Sequence, residues 1–387
     1  MSVQVSYKKQ FTIGILFLII ILGSLEFVFR VYELLTPRCD LIESDSLKDL
    51  DYFQIWQICL DSTMLLYYEE PILLIRPNQD LPTIHINDFG FRGPEISKDK
   101  PESTYRIFLV GGSTAFGSGA TSDDKTISGF LQNEFDNSKS VTSKVEVINA
   151  GISLGWSFTE TFYIKNTILD FQPDLIIAYD GWNDANVRVF GDDYALNPQL
   201  KEIPEGINSY FKFKNFPFYR TPFVMYDIFF TEGSTSDPLL NQTKPPVPVL
   251  NQTKTGIEKY IYQDILVSNW KDRWLEICEI DKTNSISTLI VIQPYLGSGN
   301  KVLTEYEKKS SPKTEFALQN HEIFDEFVKS LPELEQVCDR TSDLRNAFDN
   351  VSGTIYSDDV HVNDTGNKII AKKIFDLSLP IVMNFEK

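Results

Sequence analysis

The chain has 387 residues and carries 36 Lys and Arg against 54 Asp and Glu, a formal net charge of -18. That excess of negative charge argues against nucleic-acid binding and against adhesion to anionic lipid surfaces. Four cysteines without CxxC spacing or a neighbouring histidine give zinc no ligand set; in an exported domain they suit one or two disulfides, and proximity in the chain pairs Cys39 with Cys59 and Cys278 with Cys338.

The first apolar stretch runs from Phe11 to Leu25 and extends past Glu26 to Phe29. As a helix it is about 28 Å long, close to the thickness of a bilayer core. Lys8 and Lys9 precede it, as they would in a cleavable signal peptide, but Gly23-Ser24-Leu25-Glu26 is a poor small-x-small cleavage site. An uncleaved single-pass anchor within residues 1–35 is therefore expected, with a cleaved signal as the alternative. The lysines would keep the short tail cytoplasmic and put the rest of the chain outside, while Arg30 and Arg38 oppose this orientation and Glu26 and Glu33 partly offset them. Residues 36–103 lack sustained periodicity and read as an extracytoplasmic stalk wrapping onto a domain, with turn chemistry at His85 to Gly93.

From Tyr105 the pattern changes to short β-branched runs separated by helical stretches. Strands are expected at Arg106–Val110, Val145–Ile148, Asp174–Tyr179 and Ser287–Ile292, and helices near 125–137, 157–170 and Thr365–Leu377. Continuous apolar strands alternating with helices predict a parallel sheet covered on both faces, with the chemistry at the carboxyl ends of the strands. Residues 104–185 and 286–387 form the expected main domain. Between them, 186–285 is rich in Phe, Tyr and Pro, then turns helical from Gly256 to Glu279 with Trp270 and Trp274 on one face; it reads as an inserted lid or an added structural subdomain. Asn-x-Ser/Thr sequons at Asn241, Asn251, Asn350 and Asn363 are compatible with export.

Four polar landmarks carry the candidate chemistry. Gly111-Gly112-Ser113-Thr114 follows a strand and precedes a helix, which exposes the Ser113 hydroxyl and amide on a tight turn. A phosphate loop would need a lysine where Ser118 stands. Asn149-Ala150-Gly151 and Gly181-Trp182-Asn183-Asp184 each follow another strand, where the Gly151 amide and the Asn183 carboxamide are candidate donors to a developing oxyanion. Ser357-Asp358-Asp359-Val360-His361 places a carboxylate three residues before a histidine, so that Asp358, or alternatively Asp359, orients the ring while its far nitrogen faces Ser113. His85 and His321 lack such a setting.

These four segments resemble blocks I, II, III and V of the SGNH, or GDSL-type, hydrolase superfamily, over roughly residues 104–380. The resemblance matches Ser113, Gly151, Asn183 and His361 to the family's namesake residues and Asp358 to its acid. It implies a three-layer α/β/α sandwich of flavodoxin-like topology with a five-stranded parallel sheet, in addition to the N-terminal transmembrane helix. Gly112 and Thr114 depart from the family's Asp and Leu beside the serine, which leaves the subfamily open. Asn87–Gly93 and Gln293-Pro294-Tyr295 resemble accessory features of membrane-anchored members. The implied activity is hydrolysis of a carboxylic ester on a glycan or lipid through an acyl-enzyme, without metal or organic cofactor. An O-acyltransferase would share the first half-reaction, and a non-catalytic glycan-binding scaffold is the alternative outside catalysis.

Overall fold

A computed structural model describes residues 6–35, 40–68, 72–186, 256–311 and 315–385. In chain order its elements begin with helices α1 (Tyr7–Leu35) and α2 (Tyr52–Met64), then the short strands β1 (Tyr67–Tyr68), β2 (Leu74–Ile75), β3 (Gln79–Asp80) and β4 (His85–Ile86). There follow β5 (Thr104–Gly111), α3 (Ser113–Phe116), α4 (Ile127–Asp136), β6 (Lys144–Gly151), α5 (Ser157–Asn166), β7 (Leu175–Asp180) and α6 (Trp182–Asn186). The remainder comprises α7 (Gly256–Thr283), β8 (Ser287–Ile292), α8 (Glu305–Ser310), α9 (Glu315–Leu334), β9 (Arg340–Asp343) and α10 (Asp364–Phe385).

Five strands pair in parallel in the order β6-β5-β7-β8-β9. Side chains alternate across the sheet and build two cores. Phe108, Val110, Ile148, Ile176 and Ile290 meet Ile164 of α5, Trp270 and Trp274 of α7 and Phe324 and Phe327 of α9. On the other face Ile107, Leu109, Leu175, Ile177 and Leu289 meet Leu131 of α4 and Ile370 and Ile374 of α10. This is the expected three-layer sandwich with five parallel strands. All eight residues of β5 are buried, as a central strand covered on both faces requires.

Helix α1 includes a 26-residue apolar span, Tyr7–Tyr32, long and apolar enough to cross a bilayer, and its side chains are largely exposed. Together with the disulfide Cys278–Cys338, this apolar helix points to an extracytoplasmic location. Cys59 is also disulfide-bonded, while Cys39, its expected partner, lies outside the described residues.

The segment expected as a stalk is folded onto the domain wherever it is described. It contributes α2 and two antiparallel hairpins, buries Phe91 in the first core, and joins the edge of β6 through an antiparallel bridge between Arg92 and Asn149. Most of the expected insertion, residues 187–255 with Asn241 and Asn251, lies outside the described residues. Its helical end, α7, is an integral part of one outer layer, with both Trp270 and Trp274 fully buried.

Candidate active site

The strand register brings the candidate residues to one edge. Gly111, the last residue of β5, pairs with Gly151 of β6 and Tyr179 of β7, so the loops after all three strands open at the same end of the sheet. At Gly111, φ is +151°, and a side chain would collide with the Tyr179 carbonyl oxygen, so glycine permits the sharp exit from β5. Gly112 then caps α3, whose first residue is Ser113. The loop after β9 approaches from the other side. Tyr356 and Val362 form an antiparallel bridge, and the Ser357 amide donates to the His361 carbonyl at 2.9 Å, closing a tight turn around Asp358.

Within that turn one carboxylate oxygen of Asp358 accepts from the amides of Val360 and His361 at 2.8 and 2.7 Å, and the other lies 2.6 Å from His361 Nδ1. His361 Nε2 lies 2.7 Å from Ser113 Oγ. Desolvation by the surrounding chain alone would raise the Asp358 carboxyl, but the His361 ring and the two amides outweigh it and hold the group below the usual carboxylate range. An ionised Asp358 on Nδ1 fixes the tautomer that leaves Nε2 able to accept the serine proton. Asp358 rather than Asp359 is the carboxylate on Nδ1, and burial followed by the charge of Asp358 pushes the Asp359 carboxyl up to about 6. The other histidines are engaged elsewhere, His85 with Asp80 and Glu95 at 3.3 Å each, and His321 against the Tyr295 ring at 4.5 Å between centroids.

Asn183 reaches the turn that carries Ser113. Its amide nitrogen donates to the Gly155 carbonyl and sits where a Gly112 side chain would otherwise stand. A carboxamide nitrogen has two hydrogens, so one remains beyond this bond. The Ser113 amide, at the first position of α3, has no acceptor among the described residues.

Gly151, the other expected backbone donor, is the last residue of β6. Its amide donates to Asn149 Oδ1 at 3.0 Å, and a side chain on it would strike the backbone of Ala115 and Phe116. The bare Cα of Gly151 leaves room for α3 to lie against β6, and its N–H is engaged by the Asn149 side chain. The sequon at Asn363 also has a structural use: its side-chain nitrogen donates to the carbonyls of Ser46 and Thr354, and its oxygen caps α10 through the Gly366 amide.

Several supporting residues have little signal in the sequence. Arg92, 4% exposed, pairs with Asp123 at 2.7 Å and donates to the carbonyls of Phe116 and Gly117 at 3.3 and 2.9 Å, while Asn149 Nδ2 donates to the same Phe116 carbonyl at 3.1 Å. Together they clamp the end of the one-turn helix that begins at Ser113. Behind Asn183, Asp184 accepts from both the amide and the hydroxyl of Ser157, tying α6 to the start of α5. Asp180 accepts from the indoles of Trp270 and Trp274 at 2.9 and 3.2 Å. Glu160 completes this buried group, with neither carboxyl oxygen hydrogen-bonded, and burial followed by the charges of Asp180 and Asp184 raises it well above the usual range.

No family model and no curated protein matches the chain. Solved structures similar to it include SGNH/GDSL-type esterases at low identity. One is an acetyl xylan esterase, AlAXEase, 14% identical, covering 70% of this chain and 98% of its own with a TM-score of 0.39. Another is an acetylxylan esterase from Geobacillus stearothermophilus, 12% identical, covering 70% and 93% with a TM-score of 0.38.

Proposed function

We propose that the chain is an SGNH-type serine esterase, held at the membrane by α1 with its catalytic domain on the extracytoplasmic side. The observation that carries this reading is the unbroken relay from Asp358 through His361 to Ser113, with contacts of 2.6 and 2.7 Å. Ser113 Oγ adds to the carbonyl carbon of an ester as its proton passes to His361 Nε2. The Ser113 amide and the free hydrogen of the Asn183 carboxamide receive the oxyanion. Collapse breaks the bond to the alcohol, which leaves with the proton from His361. Water then adds to the acyl-serine by the same route, releasing a carboxylic acid and restoring the hydroxyl. The substrate is an acylated glycan or a lipid ester.

A fluorophosphonate probe should label the purified protein at Ser113, and Ser113→Ala should abolish both labelling and hydrolysis of a short-chain chromogenic ester. Equal labelling of wild type and Ser113→Ala would sink the assignment.

A further inference from the structure

The segment that follows α1 is built into the rim of the proposed catalytic crevice. Leu41 packs over the turn after α3, its Cδ1 lying 3.8 Å from where a Gly119 side chain would begin. Ser46 Oγ lies 2.7 Å from the hydroxyl of Ser357, the residue before Asp358, and 2.7 Å from Ser44 Oγ, and all three serines are buried. The Ser46 carbonyl accepts from Asn363 Nδ2 at 2.9 Å. One short strap therefore touches both the loop that carries the nucleophile and the loop that carries the base.

Its length limits how far the crevice can stand from α1. Leu41 follows Leu35 by six positions, at most about 21 Å of extended chain. Ser46 follows by eleven, at most about 39 Å, and residues 40–43 and 45–47 shorten that reach because they coil as 3-10 turns at about 2 Å per residue. Just beyond the strap, at the start of α2, Tyr52 and Phe53 stand 55% and 76% exposed, edge to face at 5.7 Å. Exposed aromatic rings close to an apolar span are the chemistry that settles at head-group depth.

We infer that the crevice acts on an ester borne by the membrane itself, an acyl group on a lipid or on a lipid-linked glycan, in preference to freely diffusing esters. The inference rests on the esterase reading above. A short tether raises the effective concentration of membrane-borne substrate at the crevice, and a long flexible one dilutes it.

The test uses the full chain reconstituted in phosphatidylcholine vesicles containing an O-acetylated glycolipid, with a soluble chromogenic acetyl ester assayed in parallel. A flexible Gly/Ser insert of about 30 residues between Leu35 and Asp40, with a root-mean-square span of about 30 Å, leaves the strap intact. It should lower acetate release from the vesicles at least tenfold and change soluble hydrolysis less than twofold. The double variant Tyr52→Ser, Phe53→Ser should lower vesicle turnover several-fold with soluble hydrolysis unchanged. Acetate release from the glycolipid identifies a head-group ester, and fatty-acid release identifies an ester of the lipid itself; either supports the inference if it depends on the spacer. Vesicle turnover that ignores both changes, with soluble hydrolysis intact, overturns the membrane inference alone. Absence of Ser113-dependent hydrolysis on both substrates overturns the esterase reading and takes this inference with it.

Discussion

Asn183 and Gly151 stood as equals in the sequence, each a small polar landmark after a strand, and the structure separates them. The Asn183 carboxamide bonds the Gly155 carbonyl through one of its two hydrogens, while the Gly151 amide is bound to Asn149. Asn183→Ala should therefore cut turnover by about 100- to 1000-fold, the usual cost of one oxyanion donor, with little change in melting temperature. Gly151→Ala should show the reverse priority, a large loss of stability as the added methyl meets the Phe116 backbone, and thermal melts run beside ester kinetics would separate the two. The relay itself was legible because Asp358-x-x-His361 is a local spacing that one turn can satisfy. The direction of the Gly151 amide was not, because it depends on the side chain of Asn149 two residues back.

At the level of elements, the four apolar strands were readable because a buried parallel strand needs a continuous run of β-branched residues. Strand β9, Arg-Thr-Ser-Asp, escaped because it is a half-buried edge strand whose composition is that of a loop. The hairpins before Thr104 escaped because their apolar residues serve a small satellite core of Tyr67, Ile75, Ile86 and Phe116 and never settle into a long period. The junction of α5, β7 and α6 carries its own pH dependence. Burial and two like-charged neighbours raise Glu160, so between its ordinary pKa and its raised one the folded chain keeps a proton that the unfolded chain has lost. Stability must then fall as pH rises through that window and stay lower above it. Glu160→Gln should flatten this decline, read as the change in urea midpoint between pH 5 and pH 8. An unchanged slope would show that Glu160 is ionised in the fold.

Across the whole molecule, the bond between Cys278 and Cys338 ties the end of α7 to the start of β9 and closes a loop of 60 residues around β8. Loop-closure entropy assigns such a bond about 4 kcal/mol. The double variant Cys278→Ser, Cys338→Ser should lose about 2 to 4 kcal/mol in equilibrium urea unfolding while keeping Ser113 reactive toward a fluorophosphonate. The three-layer architecture was legible from the alternation of strands and helices, but the attachment of Ser46 to the loop that carries His361 was not. The hydroxyls of Ser46 and Ser357 meet across 311 positions, and no local pattern announces such a contact.

That separation also sets a schedule. Ser46 meets Ser357 across 311 positions and Ser113 meets His361 across 248, so on the proposed reading Ser113 leaves the ribosome long before its base exists. On that reading a nascent chain stays chemically silent until Asp358 and His361 have been made. Chains cut short before Ser357 would lack Asp358 and His361 altogether, and with them the proposed chemistry.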